Sequence, residues 1–96
     1  MSPQNKNKLY LIRKKLDFLD NKFLNLIKIR TRLINEVINI KQNKIEIIDH
    51  KRIKQILKNI KRKSKKNKID TNLTLRIWKN MIWSYIDYEK RKFKKK

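Results

Sequence analysis

Ile12, Leu16, Leu19, Phe23, Leu26, Arg30, Leu33, Val37 and Ile40 follow one another at alternating steps of four and three residues. That is a heptad seam of about four repeats, and no Pro or Gly interrupts it. The pattern predicts one helix from about Lys6 to Asn43, ~55 Å long at 1.5 Å per residue. The rest of a 96-residue chain cannot cover a stripe of that length. It asks for a partner, most simply a second copy of itself.

Residues 44–48 read as a short connection. Asp49 suits the N-cap of a second helix running to about Ser64, with Ile53, Ile56, Leu57 and Ile60 on one face. The charge run KRKSKKNK at 61–68 reads as a frayed helix end and solvated loop. Asp70 or Thr71 can cap a third helix to about Lys92, whose apolar face carries Leu73, Ile77, Trp78, Met81, Ile82, Tyr85 and Ile86. The tail KRKFKKK reads as disordered. The expected fold is all-α, with a long first helix and two shorter ones. Residues 1–8 form an N-terminal extension, 9–90 the helical domain and 91–96 a basic tail.

Composition removes whole classes of chemistry. There is no Cys, no Gly and one His, His50. Disulfides, thiolate nucleophiles, Cys-ligated zinc and multi-His metal sites are therefore out. So are phosphate-cradling glycine loops. No cofactor or metal is expected. The longest apolar run is Leu9 to Ile12, and the opening MSPQNKNK has no apolar signal core, so a cytoplasmic protein without a membrane partner is expected.

The net charge is +21, from 29 Lys+Arg against 8 Asp+Glu. Ile, Lys and Asn supply 49 of the 96 residues, Ala is absent, and Lys outnumbers Arg 22 to 7. All of this follows A/T-rich codons. Phosphate recognition would favour bidentate Arg. Much of the charge is therefore read as codon drift on a solvated surface. The competing readings are a polyanion-binding surface and a field that draws in a small anionic substrate.

Arg30 is the anomaly, because it occupies a core position of the seam. A polar residue there can set register or lay its stem along apolar surface. A buried guanidinium also asks for an anion. Lys41 lies eleven residues on, only ~20° away in azimuth and ~16 Å along the axis. Glu36, the nearby acid, lies about 120° off that line. An anionic ligand is the natural candidate. Arg13 sits ~25 Å before Arg30 on the same helix. It can reach a second site only if two long helices run antiparallel in a dimer.

These residues resemble the all-helical, type II chorismate mutase family, and the resemblance covers about Leu9 to Glu89. The opening LYLIRKKLDFLDNKFLNLIKIRTRLINEVINIK is similar to the pattern LxxLRxxIDxLDxxLLxLLxxRxxLxxxVxxxK. The spacings among Arg13, Arg30 and Lys41, the D-x-x-R pair Asp49 and Arg52, and IWKNMIWSYIDYE match as well. The resemblance implies an intertwined homodimer with two active sites and the pericyclic rearrangement of chorismate to prephenate, in phenylalanine and tyrosine biosynthesis. It implies that Arg30 and Arg52 hold substrate carboxylate and that Lys41 contacts a carboxylate and the ether oxygen. Arg13 enters from the other protomer, Asp49 sits by the ring hydroxyl, and Tyr85 and Glu89 complete the wall.

Three positions depart from the pattern. Ile53 stands where many mutases carry glutamate, Tyr85 where many have a small hydroxyl residue, and Glu89 where many have glutamine. A carboxylate donates a hydrogen bond only when protonated, so activity that used Glu89 as donor would fall as pH rises. The first two departures also resemble isochorismate-pyruvate lyases, which share the fold and are the runner-up. The rival outside the family is a basic helical nucleic-acid-binding protein. It is disfavoured because two cations lie on the apolar seam and no recognition-helix motif is present. Nucleic acid is thus not an expected partner. Trp78 and Trp83 read as core and interface aromatics.

Overall fold

The computed structural model describes residues 2–40 and 47–94. It contains three helices: α1, Pro3–Ile40; α2, His50–Lys66; and α3, Thr71–Lys94. Among the described residues there is no strand, and no helix is long and apolar enough to cross a membrane. The all-α, three-helix expectation holds.

The chain divides into two compact units, Met1–Asn35 and Glu36–Lys96. The first is α1 as far as Asn35. Ser2 caps it, its Oγ accepting from the Asn5 N–H at 3.1 Å, and Pro3 takes the first helical position, where a missing N–H costs nothing. The helix therefore starts before Lys6 and includes residues 3–8. Its predicted end at Asn43 falls outside the described residues. The apolar seam residues of this unit stand open to solvent, with Phe23 62% and Leu26 60% exposed.

The second unit holds the core. Ile47, Ile82 and Ile86 are buried, and Ile48, Ile53, Ile56, Leu57 and Phe93 pack against them. Asp49 caps α2, its Oδ1 accepting from the Arg52 N–H at 2.9 Å. Asp70 rather than Thr71 caps α3, accepting from the Leu73 N–H at 3.0 Å.

Two expectations fail here. The charge run does not fray: α2 continues through Lys66. Ser64 turns inward and is buried, and its hydroxyl hydrogen-bonds that of Thr74 on α3 at 2.7 Å. The helix then closes with a double hydrogen bond, the Ile69 N–H to the Ser64 carbonyl at 2.9 Å and the Lys68 N–H to the Lys65 carbonyl at 3.2 Å. Lys63, Lys65 and Lys66 lie in the last turn, where cations suit the negative pole of the helix. The tail is not disordered as far as Lys94, because α3 runs on to that residue. Phe93 falls four residues after Glu89 on the inward face and packs on the core.

The α2 closure puts Lys68 at φ 57°. This is the left-handed position that glycine normally fills, and it costs a β-carbon-bearing residue roughly 1–2 kcal/mol. Lys68→Gly is expected to raise stability by about 1 kcal/mol. The readout is a higher urea midpoint at fixed protein concentration with an unchanged m-value. A lower midpoint would contradict the strained cap.

Candidate active site

The described charged candidates lie on the helices or, for Asp49, at a helix cap. Arg13 and Arg30 both lie on α1, in the first unit. Seventeen residues of straight helix separate them by ~25 Å, so they cannot hold one small ligand from the same chain. Arg13 is exposed. Arg30 is half-buried, with its Nη1 shielded from solvent. A guanidinium stem lying along apolar surface explains why the heptad tolerates it. Lys41 lies outside the described residues.

The second unit supplies the remaining candidates. The structure brings Asp49 and Arg52 together at the start of α2. The Asp49 carboxylate receives the Arg52 backbone N–H at 2.9 Å. The Arg52 guanidinium donates from Nη1 to Oε1 of Gln55 at 3.0 Å. Arg52 is exposed, so its head group is open to a ligand while one donor stays tethered. Gln55 was not singled out from the sequence. Its spacing from Arg52, one helical turn, was the available signal.

Tyr85 and Glu89 share the inward face of α3 with Ile82, Ile86 and Phe93, at steps of three and four residues. Glu89 is only 6% exposed, the one acid buried among the described residues. Burial of a carboxylate beside isoleucine is costly unless something polar meets it. Glu89 is therefore an inward-facing acid and not a surface charge. Tyr85 is half-buried, and its ring meets that of Tyr88 edge-on at 6.2 Å and 86°, which restricts where it points. Among the described residues no three His, Cys, Asp or Glu side chains converge as metal ligands. Ile53, on α2, packs on the isoleucine core.

Comparisons with known proteins give the family. The chain matches the family described as "Chorismate mutase type II" over residues 12–90. It is 41% identical over 76 residues to a protein named "Chorismate mutase" from Methanocaldococcus jannaschii, covering 78% of this chain and 77% of that one. No solved structure matches it significantly. The chain belongs to the type II chorismate mutase family.

Asp49 holds two candidate roles, as cap and as ligand contact. Asp49→Asn keeps a capping oxygen, whereas Asp49→Ala loses it at about 1 kcal/mol. The expected pattern is a stability loss in the Ala variant alone and an activity loss in both. Activity in Asp49→Asn equal to wild type would leave Asp49 as a cap only.

Proposed function

We propose that the protein catalyses the rearrangement of chorismate to prephenate, for phenylalanine and tyrosine synthesis, as an intertwined homodimer with two active sites. Family membership across residues 12–90 is the observation that carries this reading. The relative from Methanocaldococcus jannaschii is named for the same activity. Neither the family match nor that relative points to an isochorismate-pyruvate lyase.

The reaction suits this set of residues. The ether C–O bond breaks as a C–C bond forms in the same molecule, so neither nucleophile nor proton shuttle is required. Binding the flexible dianion in its reactive chair supplies much of the rate. A fixed cation beside the ether oxygen, where negative charge grows, supplies about 3–4 kcal/mol more on the scale of oxyanion donors. Lys41 takes that part. Arg30 and Arg52 hold carboxylates, Asp49 meets the ring hydroxyl, and Tyr85 and Glu89 close the wall. The shielding of Arg30 Nη1 supports its role, because a desolvated charge acts more strongly on a bound anion.

The dimer rests on the open seam of α1. Each large apolar side chain removed from water is worth about 1.5–3 kcal/mol. Ile12, Leu16, Leu19, Phe23, Leu26 and Leu33 are all exposed. Together they offset an association cost of about 4–15 kcal/mol. An antiparallel pairing also carries Arg13 of one protomer to the Arg30 end of the other, which the ~25 Å separation along one helix requires.

Purified protein is expected to convert chorismate to prephenate, followed by loss of substrate absorbance and chromatography. Arg30→Ala and Lys41→Ala are expected to lower kcat/KM by about 100-fold or more. Pyruvate and salicylate from isochorismate, with chorismate untouched, would replace the mutase with the lyase. The shared site has its own test. Unfolding Arg13→Ala and Arg30→Ala chains together and refolding them should give about one quarter of wild-type activity, since half the dimers are mixed and each mixed dimer has one intact site. No recovery would place Arg13 in its own protomer's site, and full activity of Arg13→Ala alone would place it outside both.

A further inference from the structure

The outer face of α2 carries a continuous line of positive charge. Lys54, Lys58, Lys61 and Lys65 follow at steps of four, three and four, all exposed. At 100° per residue they fall within an arc of about 60°, and they span ~16 Å of the helix axis. Lys51 and Arg62 flank them. The helix His50–Lys66 contains no Asp or Glu. Like charges three and four residues apart destabilise a helix by about 0.2–0.5 kcal/mol per pair, so the line carries a cost that only counter-charge relieves.

On the outward line of α1, Asn7, Lys14, Asn21 and Lys28 alternate. The α2 line has lysine at every position. It is also held in place, since the part-buried Ser64–Thr74 hydrogen bond and the cap at Asn67–Ile69 keep Lys61 and Lys65 helical.

We infer that this line is a docking surface for the phosphate backbone of a nucleic acid, bound without regard to sequence and in addition to catalysis. A membrane surface fits poorly, because basic amphipathic helices bind lipid by inserting their apolar face. That of α2 is committed to the core through Ile53, Ile56 and Leu57. A protein partner fits poorly too, because the line presents no aromatic or apolar anchor for the centre of an interface. Evenly spaced lysines are sufficient for phosphate contacts, which need point charges and carry no base readout. The inference is independent of the assignment of the active site.

The test compares two variants that each remove four charges. One is Lys54, Lys58, Lys61 and Lys65 to Gln on α2. The other is Lys6, Lys8, Lys14 and Lys28 to Gln on α1. Binding to short DNA and RNA duplexes of one arbitrary sequence is followed by fluorescence anisotropy across a salt series. The α2 variant is expected to lose at least tenfold in affinity near about 150 mM salt and to flatten the log–log salt slope by about 3–4. The α1 variant is expected to change affinity by less than about threefold. Circular dichroism and chorismate turnover should stay at wild-type values in the α2 variant. Whichever duplex binds more tightly names the natural source of the phosphates. Equal losses in the two variants, or a wild type that binds no better than the α2 variant, overturn the inference.

Discussion

A helix of 38 residues, about 57 Å long, in a chain of 96 is the constraint on which the rest depends. Its apolar seam is exposed along most of its length, while the isoleucine core is assembled in the other unit from α2, α3 and Ile47. A stripe of this kind is stable in water only when something covers it. The same rigid rod also spaces its cations, because Arg13 and Arg30 are separated by fixed multiples of 1.5 Å and cannot be drawn together. Exposure of the seam and the spacing of these two cations are therefore set by one element. A substitution that disturbs the seam disturbs both.

Much of this could be read in the sequence because the signals are local. Asp49 and Asp70 act as helix caps, and a cap is decided within four residues of chain. The heptad of α1 is likewise a property of one helix. What escaped the reading depends on contacts distant in sequence or on special backbone angles. Ser64 ends buried because Thr74, ten residues on, meets its hydroxyl, and nothing in KRKSKKNK announces that. Lys68 occupies a left-handed position in a chain that has no glycine to mark it. Phe93 sat inside a basic tail, and its place on the inward face follows only once α3 is known to continue. Ser2-Pro3, by contrast, was a legible helix start that was passed over.

The candidate site divides in the same way. Arg30 stood out because a cation broke an apolar repeat, whereas Glu89 and Tyr85 were implied by the family resemblance of the last helix. Burial of Glu89 and the tether from Arg52 to Gln55 depend on how α2 and α3 pack, which spacing alone does not specify. The chemistry asks little beyond this. A pericyclic reaction needs its substrate shaped and its developing charge met by a fixed cation. Arginine, lysine, tyrosine and glutamate are sufficient, and a chain without cysteine and with a single histidine still has them.

Compositional drift and function leave different marks on such a chain. Drift pushes unconstrained positions toward Lys, Asn and Ile, so residues that resist it are informative. Asp49 and Asp70 persist as caps, Asp87 pairs with Arg91, and Glu89 is buried on the inward face of α3. Half of the eight acids thus have a structural partner or place. The converse holds for the cations. Lysine on a solvent face is uninformative when asparagine alternates with it, as on the outer line of α1. Where lysine runs unbroken along an ordered line, self-repulsion opposes it, and a bound counter-charge is what would relieve that cost.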